Sequence, residues 1–340
     1  MSNDSNDGEE RGIGMEQKKK AVLYTGGGLL FGVCFLFMLY FGKETFYVEG
    51  TEPTAQTYDY HFALITEETG NAYWQMIEQS AKATAADHNI YLESMGPRKA
   101  NPEEVLRTMD QMIAANVDGI ITQGLPGPRF LDLVVKANEH GIPVVTVDSD
   151  MPESERTAYI GTDNYESGYL AGEELIRETK GKQSVGIITG NVESLNQQQR
   201  IKGFEEAIKN VERIEVVDIK QSNITEVGAA QATYSMIKQH SNINALFGTS
   251  ALDGIGMVQG VEEMTVWERP YMIAFDTLPE TINLLEQEKL DATIAQYPEE
   301  MGKQAIQTMR DLQSQANVEP LQHTGTDVIR SVKQWEDHSS

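Results

Sequence analysis

Short apolar runs alternate with longer amphipathic segments along most of this chain. The first apolar run is HFALIT at residues 61–66, and the amphipathic segment YWQMIEQSAKATAADH follows it at residues 73–88. Short runs rich in β-branched residues are typical of buried strands, whereas apolar positions spaced three and four apart are typical of helices. The pattern therefore predicts alternating strands and helices from residue 61 onward.

The alternation of predicted strands and helices continues to the end of the chain. The predicted strands are 61–66, 90–95, 119–124, 142–148, 184–190, 214–220, 245–250, 271–277, 292–297 and 327–332. The predicted helices are 73–88, 101–116, 128–140, 165–180, 197–210, 225–240, 252–264, 279–289 and 299–315. Such alternation gives parallel sheets with helices on both faces. The number of predicted strand–helix units is too large for a single sheet of ordinary size. The predicted fold class is therefore α/β with two similar lobes.

A different pattern precedes the first strand. Residues 21–42 carry no charge, and as a helix they would span about 33 Å, enough to cross the hydrocarbon core of a bilayer. A secretory signal has a shorter apolar region followed by a cleavage site with small residues, and no convincing site follows Phe41. We therefore expect an uncleaved transmembrane helix at 21–42, followed by a linker at 43–57.

The basic residues beside this segment predict its orientation. Arg11 and Lys18 to Lys20 precede the span, whereas Lys43 is the only Lys or Arg between the span and Lys82. Because basic residues stay on the cytoplasmic side, residues 1–20 are expected to form a cytoplasmic tail and the rest to lie outside the cell. The expected localisation is the cell membrane, with a single pass and an extracellular binding domain.

The overall charge narrows the classes of partner. The 340 residues carry a formal net charge of −25, which argues against nucleic acid because that ligand requires a basic face. The one cysteine, Cys34, excludes an internal disulfide framework. The six histidines are scattered, and no motif with metal-ligand spacing occurs. We therefore expect neither a metal nor a cofactor.

Ligands of open α/β sheets bind beyond the carboxyl ends of the strands, and this rule selects candidate residues. They are Glu67 to Trp74, Asp148, Asp150, Asn191 to Gln199, Ser250 to Asp253, Asp276 and Gln296. The set combines aromatic rings, carboxylates, amides and hydroxyls with almost no cations. Sugar hydroxyls suit such a lining, because aromatic faces pack against C–H groups while polar groups exchange hydrogen bonds.

Several stretches in combination resemble the ribose-binding type of bacterial sugar-binding proteins, relatives of the sugar domain of LacI-type repressors. They are IPVVTVDSD, AYIGTDNYESGYLAG, QQQRIKGFEEAI, AFDTLPET and ATIAQYPEEMG, and the resemblance covers about residues 58–333. It implies two Rossmann-like lobes, joined by three crossing strands, that close over a monosaccharide. The implied N-terminal lobe is 58–162 plus 297–322, and the C-terminal lobe is 163–296 plus 323–333.

The resemblance also implies ligand contacts, position by position. GNAYW matches the family's asparagine and paired aromatics, DSD its strand-end aspartate, and NQQQR, AFDT and IAQY three further contact positions. The implied ligand residues are Asn71, Tyr73, Trp74, Asp148, Gln198, Asp276 and Gln296. Asp150, Ser250 and Asp253 are further candidates from the strand-end rule, although Asp150 before Met151-Pro152 also fits a turn. Trp74 fits a core position as well, and Asp276 fits a helix cap.

The chain departs from the ribose-binding pattern at three contacts. Ser149 and Gln198 stand where that pattern has arginine, and Ser250-Ala251 replaces Asn-Asp. Arg200 is retained at a position that is more often structural. These changes argue against ribose itself as the ligand.

Two classes of function compete. The favoured class is a membrane-anchored sugar-binding protein whose partner is either an ABC permease or a membrane histidine kinase. The other is an extracellular enzyme acting on a carbohydrate through paired carboxylates such as Asp148 and Asp150, but no nucleophile elbow, phosphate loop or metal motif supports it. A repressor is disfavoured because an apolar span, not a basic helix-turn-helix, precedes the sugar domain.

Overall fold

The computed structural model describes residues 7–46, 57–264 and 268–339. The chain divides into two units, Met1–Thr57 and Tyr58–Ser340. The first unit contains one helix, α1, from Asp7 to Phe46. Within it, Val22–Gly42 is long and apolar enough to cross a membrane, and none of this stretch is buried in the structure. The helix extends beyond the predicted span at both ends, and residues 47–56 of the predicted linker lie outside the described residues.

The second unit is built from strands and helices that alternate as expected. Its first half contains β1 (Tyr60–Ile65), α2 (Ala72–Asp87), β2 (Ile90–Met95), α3 (Pro102–Ala114), β3 (Gly119–Thr122), α4 (Pro128–Glu139), β4 (Val144–Val147) and β5 (Ala158–Thr162). Asn101 caps α3, since its Oδ1 accepts from the backbone N–H of Glu104, and Pro102 opens the helix.

The second half continues the alternation. It contains α5 (Asn164–Glu178), β6 (Gln183–Thr189), α6 (Leu195–Ile208), β7 (Ile214–Gln221), α7 (Glu226–Gln239), β8 (Ala245–Gly248), α8 (Asp253–Glu262), β9 (Tyr271–Phe275), α9 (Pro279–Glu286) and β10 (Ala292–Ala295). The chain ends with α10 (Pro298–Gln313), β11 (Leu321–Thr324), β12 (Asp327–Ile329) and α11 (Val332–Ser339).

The strands form two six-stranded sheets, one in each lobe. The N-terminal sheet has the order β11-β5-β4-β3-β1-β2, and the C-terminal sheet has the order β12-β10-β9-β8-β6-β7. All pairs are parallel except β10 with β12. The chain passes between sheets three times: after Thr162, after Ala295 and after Thr324. The predicted α/β class with two lobes is confirmed.

Three elements differ from the prediction. β5 and β11 were not expected as strands, and the strand predicted at 327–332 ends at Ile329 before α11 begins at Val332. β11 has the sequence LQHT, with Leu321 and His323 exposed, so it carries no apolar pattern. It becomes a strand because β5 offers it a parallel partner at the edge of the sheet.

Each sheet is sandwiched between two layers of apolar side chains. In the N-terminal lobe, one layer includes Phe62 and Trp74 and the other includes Phe130. In the C-terminal lobe, one layer includes Met236 and the other includes Phe247. Residues that follow the carboxyl ends of both sheets line the same interlobe cleft.

Candidate functional site

The interlobe cleft is lined by residues from both lobes. The lining consists of Glu67, Asn71, Tyr73, Trp74, Gln123, Asp148 and Ser149, together with Ser194, Asn196, Gln197, Arg200, Ile224, Ser250, Ala251, Asp276 and Gln296. Most of these side chains are polar, and nearly all follow the carboxyl end of a strand. The structure therefore brings together Asn71, Tyr73, Trp74, Asp148, Ser250, Asp276 and Gln296 from the predicted set.

Two aspartates occupy equivalent positions in the two lobes. Asp148 follows β4 and Asp276 follows β9, each the third strand of its sheet. Both have left-handed backbones, with φ of 67° and 68°, a conformation that Asp tolerates better than most residues. The N–H of Asp148 donates to the carbonyl of Ile160, and that of Asp276 donates to the carbonyl of Ile294, at 3.1 and 2.8 Å. The two lobes thus present matching carboxylates to the cleft.

Each of these carboxylates has one oxygen held by the protein. The hydroxyl of Tyr73 donates to Asp148 Oδ1 at 3.0 Å, and Nε2 of Gln296 donates to Asp276 Oδ1 at 2.5 Å. Among the described residues, neither Oδ2 atom has a hydrogen-bond partner. Each lobe therefore contributes one carboxylate oxygen that can accept a hydrogen bond from a ligand.

Burial controls the protonation of these groups. Desolvation raises the pKa of Asp148, although the positive charge of Arg200 opposes the increase. Desolvation likewise raises the pKa of Asp276 to about 7, and that of Glu67 to about 7 with a further contribution from Asp148. Because a ligand hydroxyl bonds most strongly to an ionised acceptor, the site accepts such donors best above neutral pH.

Arg200 is the cation of the cleft, and its nitrogens are already engaged. Nε donates to Asn164 Oδ1 at 2.8 Å, Nη1 to the carbonyl of Thr249 at 2.8 Å, and Nη2 to Gln296 Oε1 at 2.9 Å. The guanidinium also lies 3.8 Å from the ring centre of Phe275. Arg200 therefore ties the strand ends together, as its expected structural role implies.

Gln296 links the two lobes at the second crossing of the chain. Its Oε1 accepts from Thr162 Oγ1 at 2.7 Å, at the end of β5 in the N-terminal sheet, as well as from Arg200. Its Nε2 holds Asp276. The amide thereby fixes the orientation of a cleft carboxylate relative to the crossing strands.

The aromatic pair lies at the start of α2. Asn71 Oδ1 accepts from the backbone N–H groups of Tyr73 and Trp74, which fixes the first turn of the helix. Trp74 is only 2% exposed and belongs to the apolar core of its lobe, while its indole N–H donates to Glu67 Oε2 at 3.4 Å. Trp74 therefore packs in the apolar core of its lobe and also forms part of the cleft wall.

Ser250 has a buried hydroxyl on the cleft wall that is only weakly satisfied by the protein. It is 6% exposed, its Oγ makes no hydrogen bond of good geometry to a described residue, and the hydroxyl opposes the rise in the pKa of nearby Asp253. A ligand or water that completes the hydrogen bonding of such a hydroxyl is favourable. Its position supports Ser250 as a ligand contact.

The structure places three predicted site residues outside the cleft lining. Asp150 forms a buried ion pair with Arg156, with Oδ1 to Nε at 2.5 Å and Oδ2 to Nη2 at 2.6 Å. Gln198 is exposed and donates to the carbonyl of Val192. Asp253 is buried and accepts from Ser222 Oγ and from the Ser250 N–H, so it supports the loops beneath the site.

Other cleft residues were not singled out from the sequence as ligand contacts. They are Glu67, Gln123, Ser149, Ser194, Asn196, Gln197, Ile224 and Ala251. Five of them fall inside ranges that the strand-end rule selected, namely Glu67, Ser194, Asn196, Gln197 and Ala251, so the rule located these segments without identifying the individual residues. No group of acidic, histidine or cysteine side chains suited to a metal ion occurs among the described residues.

Comparison with known proteins places the chain in a family. The periplasmic binding protein domain matches residues 62–316. The D-ribose/D-allose-binding protein of Pseudomonas aeruginosa is 26% identical over 256 residues, covering 72% of this chain and 80% of that protein. The chain therefore belongs to the periplasmic binding protein family.

Solved structures agree with this assignment. GanP, a glucose-galactose binding protein from Geobacillus stearothermophilus, is 46% identical with a TM-score of 0.77, and the match covers 80% of this chain and 97% of GanP. XylFII is 34% identical with a TM-score of 0.74, covering 80% and 98%. XylFII in complex with LytSN is also similar, at 34% identity and a TM-score of 0.75, covering 79% and 97%. The chain is a sugar-binding protein of the periplasmic type, and its relatives are binding proteins rather than enzymes.

Proposed function

We propose that the chain is a membrane-anchored extracellular receptor whose lobes close over one neutral monosaccharide. The observation that carries this proposal is the matched pair Asp148 and Asp276, one from each lobe, each with an oxygen that has no partner among the described residues. A sugar ring with several hydroxyls can donate to both carboxylates at once, which joins the lobes through the ligand. Hydrogen bonds to charged acceptors contribute about 1.5–3 kcal/mol each.

The charge of the cleft supports a neutral ligand. Glu67, Asp148 and Asp276 are acidic, and the nitrogens of Arg200 already donate to protein oxygens. The hydrogen-bond partners of Arg200 are neutral oxygens, so its positive charge offsets only one of the three acidic groups, and a sugar phosphate or an acidic sugar would still meet an excess of carboxyl groups. A neutral hexose or pentose avoids this repulsion.

The first sugars to test are D-glucose and D-galactose. GanP, at 46% identity, is a glucose-galactose binding protein. The D-ribose/D-allose-binding protein is less similar, at 26% identity. The departures from the ribose-binding pattern at Ser149 and Ser250-Ala251, which line the cleft, also argue against ribose.

Calorimetry with the full chain tests the cleft. The panel is D-glucose, D-galactose, D-allose, D-ribose, D-xylose and a sugar phosphate, in a detergent without a sugar headgroup. We expect one neutral sugar to bind, and Asp148→Asn to weaken it by roughly 10–150-fold, the equivalent of about 1.5–3 kcal/mol. The control Gln198→Ala changes an exposed side chain outside the cleft. Equal losses in both variants, or tighter binding of the phosphate, would contradict the assignment.

The anchor is the apolar segment of α1. Val22–Gly42 has the length and hydropathy of a membrane span, and the basic cluster Lys18 to Lys20 lies on its N-terminal side. These features support an uncleaved helix with the N-terminus in the cytoplasm. Sequencing the N-terminus of the mature protein tests this point, because a start after Phe41 would identify a cleaved signal instead.

Within this receptor class, we favour sensing over sugar delivery. XylFII, at 34% identity, has been solved in complex with LytSN, so a similar binding protein engages a second protein. Closure on sugar can bias a membrane histidine kinase if the kinase binds the closed form more tightly. The second candidate is the binding component of an ABC transporter, which the 20% identical ribose import binding protein of Escherichia coli supports.

An anchor exchange separates these roles. Residues 1–42 are replaced by an unrelated lipoprotein anchor, and sugar-dependent gene induction and sugar uptake are measured in the same strain. Lost induction with normal uptake supports the sensor, because the helix then carries the signal. Normal induction together with normal uptake removes the main support for a sensing role of the helix.

A further inference from the structure

An unusual backbone conformation occurs at the mouth of the cleft. Asn223 and Ile224, in the loop between β7 and α7, have φ of 57° and 54°. Asparagine tolerates the left-handed region, but a β-branched residue there is a genuine outlier because Cβ crowds the backbone. Ile224 is the only β-branched residue with positive φ in the part of the chain that the structure describes.

The loop is fixed on both sides of this strained residue. On one side, the Ser222 N–H donates to the carbonyl of Thr189 at 2.8 Å, and Ser222 Oγ donates to Asp253 Oδ1 at 2.6 Å. On the other side, Thr225 Oγ1 caps α7 by accepting from the Gly228 N–H at 3.0 Å. The Ile224 N–H itself lies 3.3 Å from Ser222 Oγ. The surrounding structure therefore holds Ile224 in a conformation that its side chain disfavours.

Ile224 stands between two cavities. The ligand cleft has a volume of about 60 Å³, and a larger cavity of about 570 Å³ lies at its mouth between the lobes. Asn71 from the N-terminal lobe and Ile224 from the C-terminal lobe are the residues that line both. Ile224 also packs close to the end of β6, since a Cβ on Gly190 would lie 2.8 Å from Ile224 Cγ1. The Ile224 side chain therefore has no room to move toward β6.

We propose that Ile224, facing Asn71 across the cleft, is a size filter that restricts the site to a single sugar ring. This inference rests on the proposed sugar-binding function and adds the residue that decides ligand length. Glycine at position 224 would relieve the backbone but would join the ligand cleft to the mouth cavity. The strained conformation is thus retained where it separates the two spaces.

The test compares the full-length wild type with Ile224→Gly by calorimetry against D-galactose, D-glucose and the disaccharide lactose. We expect the wild type to bind a monosaccharide and exclude lactose. In Ile224→Gly the ratio of monosaccharide to lactose affinity should fall at least tenfold. The matched control is Val227→Ala, since Val227 is 65% exposed and lines only the mouth cavity. It should leave the ratio unchanged.

A second measurement tests the backbone without any sugar. Ile224→Gly and Ile224→Ala both remove the side-chain atoms beyond Cβ. Only glycine, which also lacks Cβ, accepts positive φ without strain. We expect the Tm of Ile224→Gly to exceed that of Ile224→Ala by about 2 °C or more. The reverse order would overturn the strained conformation on which the inference depends.

The outcomes separate this inference from the function on which it rests. A wild type that binds a monosaccharide, with an unchanged affinity ratio in Ile224→Gly, would overturn the size filter and leave the receptor intact. A wild type that binds lactose as tightly as a monosaccharide would also overturn it. A wild type that binds no sugar at all would overturn the receptor function itself.

Discussion

Replacing Asp276 by asparagine should make the ligand-free protein more stable and the receptor weaker, with an effect on stability that depends on pH. Asp276 is 4% exposed, and desolvation raises its pKa from 3.8 to about 7. Between these pH values the unfolded chain has lost the proton while the folded protein keeps it. Folding stability therefore falls as pH rises from about 4 to about 7.

The magnitude follows from the two pKa values. At about 1.4 kcal/mol per pH unit, the difference between 3.8 and about 7 corresponds to a loss of ~4 kcal/mol above neutral pH. Asparagine does not titrate, so Asp276→Asn avoids this loss. Its Oδ1 can still accept from Gln296 Nε2, and the pKa of about 7 already includes the effect of that hydrogen bond on the wild type. We expect a gain of ~4 kcal/mol at pH 8 and none at pH 4, where Asp276 is itself protonated and neutral.

Sugar binding should change in the opposite direction. The variant replaces the second carboxylate oxygen with an amide donor, so a sugar hydroxyl loses its charged acceptor. At pH 8 we expect affinity to fall by roughly 10–150-fold, or about 1.5–3 kcal/mol. In the wild type, affinity should itself decrease as pH falls below about 7, because protonation of Asp276 and Glu67 removes charged acceptors.

The assay is denaturant unfolding of the full chain at pH 4 and pH 8, with calorimetry at pH 8. Asp253→Asn is the matched control, because Asp253 is also fully buried with a pKa raised to about 6 but lies outside the cleft lining. Its gain in stability should grow with pH in the same way, and because Asp253 only supports the Ser250 loop, sugar affinity should fall less than in Asp276→Asn. A stability difference for Asp276→Asn that is the same at both pH values would refute the reasoning, as would an unchanged sugar affinity.

Three further variants test other parts of the structure. Ser250→Ala removes a buried hydroxyl that interacts only weakly with Asp253, so stability should change little while sugar affinity falls by about 0.5–1.5 kcal/mol in calorimetry; a large loss of stability with unchanged affinity would show that the hydroxyl serves the fold rather than the ligand. Asp150→Ala leaves Arg156 without its carboxylate, so unfolding free energy should fall by about 3–5 kcal/mol in denaturant titration, with sugar affinity retained by the folded protein. Deleting residues 1–42 should release the protein from the membrane fraction, and continued sedimentation with washed membranes would contradict the anchor.

The strand-end rule located the cleft from the sequence, but it could not separate neighbouring acids. Asp148 and Asp150 lie two residues apart after the same strand. Asp148 adopts positive φ and accepts from Tyr73, which is distant in sequence, whereas Asp150 is neutralised by Arg156. The side-chain partner of Asp148 is distant in sequence, so nothing near VDSD marks it as the cleft carboxylate, whereas the partners of Asp150 lie within six residues and agree with the turn that Met151-Pro152 indicates.

The sequence was likewise unable to show which glutamine of α6 faces the cleft. Successive residues of a helix point about 100° apart, so only one rotation of the helix can place a given side chain in the cleft. Gln197 is 4% exposed and accepts from the Gly190 N–H, whereas Gln198 faces solvent. Arg200 lies three residues after Gln197 and shares its face, so the retained arginine was a usable signal for the rotation.

The alternation of apolar and amphipathic segments was enough to predict the α/β class and nearly every element, because buried strands and helices each impose their own spacing of apolar residues. The same kind of pattern located an uncharged apolar helix that is long enough to cross a membrane, since length and composition alone decide that property. The edge strand Leu321–Thr324 and the contacts of the cleft required the folded chain. A polar strand forms only where β5 pairs with it, and a carboxylate becomes a ligand acceptor only where long-range contacts bury it and leave one oxygen unpaired.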